Sequence, residues 1–192
     1  NLMFRKQGSG NFRTLLKAVI RDAAMLNYLD NNNNKRKAPN ENLARELLEL
    51  FTLGEGNYDE DTVKEAARAL AGYRTNELRD LSFEISPWDQ DRGLKNILGS
   101  WGFHDGDDLI DLILEQPRAS EFMAEKFWRH YVSEFQFQDS EIQTIAHLFR
   151  SSNYDLKVLL QATLSTPFFW DSQARGTIIK APVDLIIGSI RT

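Results

Sequence analysis

The segment Asn27 to Glu49 concentrates the side chains most able to do chemistry. Seven of its first sixteen residues are asparagine (Asn27, Asn31, Asn32, Asn33, Asn34, Asn40 and Asn42), with Asp30 and Glu41 among them. Asp30, Asn32, Asn34 and Glu41 occupy the first, third, fifth and twelfth places of a twelve-position loop between two helical patterns, the spacing from which oxygens hold a hard divalent cation such as calcium or magnesium. The sixth place, where a calcium loop needs glycine for its turn, is Lys35, and Lys35, Arg36 and Lys37 set three positive charges beside the would-be ion. The pattern therefore describes an irregular oxygen-ligand site rather than an EF-hand. It competes with a simpler reading, a solvated helix-to-helix loop, because asparagine bonds nearby backbone groups and tolerates left-handed conformations.

The helix predicted next, Asn42 to Thr52, separates by period into two arcs. Leu43, Ala44, Leu47, Leu48, Leu50 and Phe51 form the apolar one, and Asn42, Arg45, Glu46, Glu49 and Thr52 the polar one. Glu46 and Glu49 on one face could bind a cation or do acid–base work; equally, Glu41, Arg45 and Glu49 could form i,i+4 pairs facing water, worth about 0.2 to 0.5 kcal/mol each. No histidine follows a glutamate by three residues, so the di-metal carboxylate bundle is excluded. The candidate binding set is thus Asp30, Asn31, Asn34, Asn40, Glu41, Asn42, Arg45, Glu46 and Glu49.

The elements that must position these residues read mainly as helices. Phe12, Leu15, Leu16, Val19, Ile20 and Ala23 share a face, so Asn11 is expected to cap a helix running to about Tyr28. The Leu43 to Phe51 helix ends at Gly54, and Asp59 caps a third whose stripe is Val63, Ala66, Ala67, Leu70 and Ala71, stopped by Gly72. Between Leu78 and Gly99 the period changes to two, with Leu81, Phe83 and Ile85 alternating and Ile97 and Leu98 on the return, which predicts one small β-hairpin. Helical spacing resumes from Asp107 to Gln116 and continues after Pro117 through Phe122, Met123, Phe127, Trp128 and Tyr131. Ser140 and Gln143 have capping-box spacing, Asp155 can cap a helix ending before Pro167, and a last helix starts near Pro182. The expected class is all-α, a predominantly helical orthogonal bundle with one inserted hairpin at about 78–99, in a single domain over 1–192 that reads as the C-terminal part of a longer protein.

Composition bounds the partners. The formal net charge is −5, against a nucleic-acid binder, and with no cysteine there is neither a disulfide framework nor a thiolate site. The most apolar late stretch, Thr177 to Ile190, is interrupted by Lys180, Pro182 and Asp184, so no membrane span is predicted. Asp105, Asp107 and Asp108 fit a helix start, where the dipole favours negative charge. Gly-x-Ser-x-Gly and phosphate-loop patterns are absent, the three histidines are scattered, and the aromatics at helical spacing read as core.

Asp30-Asn31, Asn34 and the block Pro39-Asn40-Glu41-Asn42-Leu43-Ala44-Arg45-Glu46-Leu47-Leu48-Glu49-Leu50-Phe51-Thr52-Leu53-Gly54 resemble the signature of a bacterial family, domain of unknown function 1800. The similarity continues through Tyr58, Glu60, Val63 and Ala67-Arg68-Ala69, then Asp91, Gly93, Lys95 and Leu98-Gly99, then Gly106-Asp107-Asp108, Lys126-Phe127-Trp128, Tyr154-Asp155 and Pro167-Phe168-Phe169-Trp170. It ends with Arg175-Gly176 to Lys180 and Pro182, so it covers nearly the whole chain. The family carries no assigned activity; its members are typically longer and exported, and often lie beside genes for sulfatase- and alkaline-phosphatase-like proteins. The resemblance thus implies a periplasmic or extracellular location and a partner of that kind. Gln90-Asp91 stands where the family usually has His-Asp, and Tyr73 where tryptophan is common, so any imidazole chemistry of that turn is missing here. Two functional classes follow: a helical ligand-binding or protein-interaction domain, which is favoured because spacing assembles no nucleophile–base pair, and an enzyme using carboxylates, with or without a hard divalent cation.

Overall fold

The computed structural model describes residues 2–76 and 81–190. Eleven α-helices make up most of the described chain, as the periodicity predicts, with two small β-hairpins and no helix long and apolar enough to cross a membrane. After α1 (Leu2–Gln7), the helix expected from Asn11 to Tyr28 is two helices, α2 (Phe12–Val19) and α3 (Ala23–Tyr28). Asn11 caps the first by accepting from Thr14 N at 3.2 Å. Asp22 interrupts the run because its carboxylate takes the backbone N–H groups of Ala24 and Met25 at 3.1 and 3.2 Å, a cap rather than an interior position.

A single-turn 3₁₀ helix (Asn31–Asn33) leads to α4 (Asn42–Glu46), which passes directly into a π-helical turn, Leu47–Thr52. Thr52 Oγ1 donates to Leu47 O at 2.6 Å and Leu53 N to Leu48 O at 2.8 Å, so both close loops of five residues instead of four. The extra residue shifts the helical phase. Thr52, expected on the polar arc, is fully buried, and Leu50, expected on the apolar arc, is 49% exposed.

α5 (Glu60–Ala69) starts where Asp59 accepts from Thr62 N at 2.7 Å, and its alanines pack tightly enough to bury Ala66 and Ala67 completely. Then come α6 (Gly106–Glu115), whose Asp105 and Asp108 form a reciprocal capping box, and α7 (Pro117–Tyr131) with proline at its start. α8 (Asp139–Ser151), α9 (Leu156–Leu164), the short α10 (Pro167–Trp170) and α11 (Pro182–Ile190) complete the order. The Ser140 and Gln143 capping box does not form: α8 begins two residues earlier, Gln138 stands at its cap without a side-chain bond, and Ser140 lies inside the first turn.

The single hairpin expected over 78–99 is replaced by two. β1 (Tyr73–Thr75) pairs antiparallel with β2 (Phe83–Ile85), Tyr73 opposite Ile85, and β3 (Lys95–Ile97) pairs with β4 (Ser100–Gly102). Phe83 and Ile85 therefore pair upstream rather than with Ile97, while Leu78 lies outside the described residues. Leu98 and Gly99 both have positive φ, 52° and 86°, the two-residue turn that matches strand twist and closes β3 on β4 within four residues of chain. One contiguous apolar cluster joins α2, α4, α5, α6, α7, α8 and α9, with Trp128 buried at its far end against Phe168 (centroids 5.6 Å) and its Nε1 donating to Gln136 O at 2.7 Å.

Candidate functional site

The asparagine-rich loop folds back onto the C-terminal end of α5, where a helix leaves its last carbonyls without intrahelical partners. Asn31 Nδ2 donates to Tyr73 O at 2.7 Å and Leu70 O at 3.3 Å; Asn34 Nδ2 donates to Ala67 O at 2.9 Å and to Asn31 Oδ1 at 3.1 Å. Both side chains are 1% exposed. Asn34 Oδ1 accepts from Asn40 N at 3.1 Å, and Gly72 N donates to Asn34 O at 2.9 Å, so the loop is tied to the helix in both directions. Asn32 Oδ1 accepts from Thr75 N at 2.9 Å, fastening the same loop to β1. Asp30, in the left-handed region at φ 57°, accepts from Asn33 Nδ2 at 2.6 Å and Asn40 Nδ2 at 3.2 Å, and Asn40 Oδ1 accepts from Asn42 N at 3.0 Å.

The same oxygens that the cation reading would use are engaged within the protein. Asp30, Asn32 and Asn34 give their oxygens to protein N–H groups, and Glu41 gives Oε2 to Arg45 at 3.1 Å. Among the described residues no group of three or more histidine or carboxylate side chains is placed to hold a metal ion. The basic triplet Lys35 to Lys37 stays exposed on the outer side of the loop.

The α4 stripe is likewise divided among separate partners. Arg45 forks onto Glu60 at 2.8 and 2.8 Å and reaches Glu41, and those bonds to Glu60 hold its guanidinium pKa above the ordinary value. Asn42 is exposed and Glu46 half-buried, while Glu49 Oε2 accepts from Tyr58 Oη at 3.3 Å. Burial first, and then the Glu49 charge, push the Tyr58 phenol up to about 12; burial, then Asp105, does the same for Tyr73. A phenol whose folded pKa exceeds its unfolded value of about 10 stabilises fully below that pH and loses its contribution as pH rises through the folded value. Alkaline titration followed at 295 nm is therefore expected to show phenolate from Tyr58 and Tyr73 only as pH approaches 12, with stability falling between pH 10 and 12, and Glu49→Gln moving the Tyr58 step downward. Simultaneous ionisation of all five tyrosines near pH 10 would refute it.

The turn Asp91 to Lys95 holds the most deeply buried charges. Lys95 is 0% exposed and donates to Asp91 O at 2.8 Å and Gly93 O at 3.1 Å; its burial pulls its pKa down, opposed by the Asp91 charge. Asp91, 9% exposed, accepts from Arg68 Nε at 2.8 Å and Gly93 N at 2.7 Å. Burial alone would raise its carboxyl, but those hydrogen bonds hold it below the usual range. Arg68 also forks onto Glu65 at 2.8 and 2.7 Å. Gln90, at the position of the missing imidazole, accepts from Arg92 Nε at 3.0 Å. Ser100 and His104 lie close, but Nε2 is 3.1 Å from Ser100 O and 3.3 Å from Oγ. A carbonyl only accepts, so the tautomer it favours carries a proton on Nε2 and cannot draw one from the hydroxyl there.

Spacing did not find the cleft beside the π-turn. Its carbonyls Leu50 O and Leu53 O are taken by Lys126 Nζ and, at 3.1 Å, Arg118 Nε from α7. A cleft of about 510 Å³ opens there, lined in part by Gly54, Arg118, Phe122, Lys126 and Arg129. At ~100° per residue these α7 side chains share one face spanning about a quarter to a third of a turn, a signal hidden behind the apolar stripe of the same helix.

Fold and site together define an α-helical domain with two small hairpins, braced by side-chain amides and by a buried ion-pair turn. The chain belongs to the family described as Protein of unknown function (DUF1800), which it matches over residues 1–192. Neither the curated proteins nor the solved structures include a match to it.

Proposed function

We propose that this chain serves as a helical protein-interaction domain, with α11 as its docking element. The observation that carries the reading is the row Ile178, Ile179, Val183, Ile186, Ile187 and Ile190, all exposed and none part of the apolar core. A nine-residue helix has little stability of its own in water, and a contiguous exposed apolar strip on it favours a covering surface. At its base, Ile178 and Ile179 face Phe127 and Tyr131 of α7 across a groove of about 830 Å³. The family resemblance extends the proposal to an exported location and to a sulfatase- or alkaline-phosphatase-like partner. A photo-crosslinking residue at Ile187 is expected to capture such a protein, whereas one at Lys35 on the opposite chemistry of the amide loop captures none. Equal capture at both positions, or none at Ile187, overturns the reading.

A further inference from the structure

The cleft beside the π-turn departs from the charge of the chain as a whole. Three cations and two carboxylates line it, in a protein of formal net charge −5. Arg118 is committed, with both oxygens of Glu125 at 2.5 and 2.9 Å and Leu53 O at 3.1 Å. Lys126 and Arg129 form no ion pair among the described residues. Lys126 Nζ donates to Leu50 O and lies 4.9 Å from the Phe122 centroid, which leaves two of its three N–H groups without a protein acceptor. Burial alone draws its pKa down, with no anion to hold it up. Arg129 rests its guanidinium on Phe137 at 5.0 Å and also borders the cleft.

The apolar side chain of the cleft stands among these cations. Phe122 lies between Arg118, at 5.6 Å, and Lys126. Gly54 permits that placement: its φ is +82°, and a Cβ there would stand 2.9 Å from Phe122 Cε2. The volume falls within the range of small-molecule sites, and Glu55 and Glu125 at the cleft oppose a polyanion while leaving room for one anionic head.

We propose that this cleft binds a small organic oxyanion, a carboxylate or phosphate monoester, with its head group on Lys126 and Arg129 and its apolar body against Phe122. The site uses no residue of α11, although Lys126 and Arg129 also border the groove at its base; anion binding is read by calorimetry and docking by crosslinking at Ile187, so the two fail separately.

Calorimetric titration at low ionic strength with benzoate, phenyl phosphate and inorganic phosphate, against chloride at matched ionic strength, tests it. At least one of the two aromatic anions is expected to bind saturably at one site, and the tighter one identifies the head group. That binding is expected to weaken at least about tenfold in Arg129→Gln and in Lys126→Gln, as loss of a charge-assisted contact does. Lys35→Gln, in the exposed basic triplet, is expected to leave it unchanged. Arg129 is exposed and its described side-chain contact is the Phe137 ring, so an unchanged melting temperature for Arg129→Gln shows that its loss of binding comes from the site. The proposal is overturned if neither aromatic anion binds saturably, or if Lys35→Gln weakens binding as much as Arg129→Gln. It is overturned as well if inorganic phosphate binds as tightly as phenyl phosphate, because the Phe122 wall then plays no part.

Discussion

Asp91→Ala is expected to lower the unfolding free energy by about 3 to 5 kcal/mol at neutral pH, the cost of breaking a buried ion pair from one side. The carboxylate is the hub of the turn: it accepts from Arg68 Nε and Gly93 N, and its charge lies 4.0 Å from the fully buried Lys95 ammonium. Without it Arg68 keeps Glu65, but Lys95 keeps only two carbonyls, Asp91 O and Gly93 O, in a site with no water access. The double variant Asp91→Ala, Lys95→Met is expected to recover part of the loss, because it removes the stranded charge and leaves an apolar side chain of similar length. The Asp91 carboxyl is held below its usual range, so its contribution is present above the ordinary carboxylate pKa of about 4 and disappears as pH falls through the folded value. Urea unfolding at pH 7 and again near pH 3 measures both effects. A loss under about 1 kcal/mol at pH 7 would place the turn with exposed ion pairs instead.

How much of this was legible in the sequence depended on whether the partner was local. Asp59, Asp105 and Asp155 cap helices whose first N–H groups lie two or three residues away, and all three positions could be read from spacing. Asp22 has the same capping chemistry but stands inside an unbroken apolar period, so the period masked the break. The π-turn was invisible for another reason. Apolar spacing is read on the assumption of 3.6 residues per turn, and one inserted residue exchanges Leu50 for Thr52 at the core without changing any residue type. The hairpins failed on pairing. Phe83 and Ile85 alternate as a strand should, but nothing in their own segment specifies Tyr73 to Thr75 as the partner.

The asparagine loop shows the same limit most clearly. Its amide content marked it as unusual, but Asn31 meets Leu70 thirty-nine residues away and Asn34 meets Ala67 thirty-three away, and only the fold brings them to those carbonyls. The bonds of Asn31 and Asn34 to the end of α5 are a structural demand that oxygen spacing alone cannot tell from a cation site. A compact amide with both donor and acceptor in fixed places is what that end needs; aspartate would lack the donor and leucine both.

Asn34→Asp separates the two readings in one experiment. A cation ligand exchanged from amide to carboxylate should bind calcium more tightly, since ligand charge raises affinity. In the capping role the same exchange removes the Nδ2 donor and sets a carboxylate oxygen against Ala67 O and Asn31 Oδ1, now 2.9 and 3.1 Å from that nitrogen. Two buried acceptors lose their donor at roughly 1 to 3 kcal/mol each, so Asn34→Asp is expected to cost about 2 to 6 kcal/mol, and Asn34→Ala a similar amount. Millimolar calcium is expected to restore neither and to leave the melting temperature of the unsubstituted protein unchanged. Thermal unfolding of the three proteins with chelator and with calcium reads the outcome directly. A calcium-dependent rise in the aspartate variant would return the loop to metal chemistry; an equal loss in both media keeps Asn34 as the group that closes α5, with the loop held to the core by amide hydrogen bonds alone.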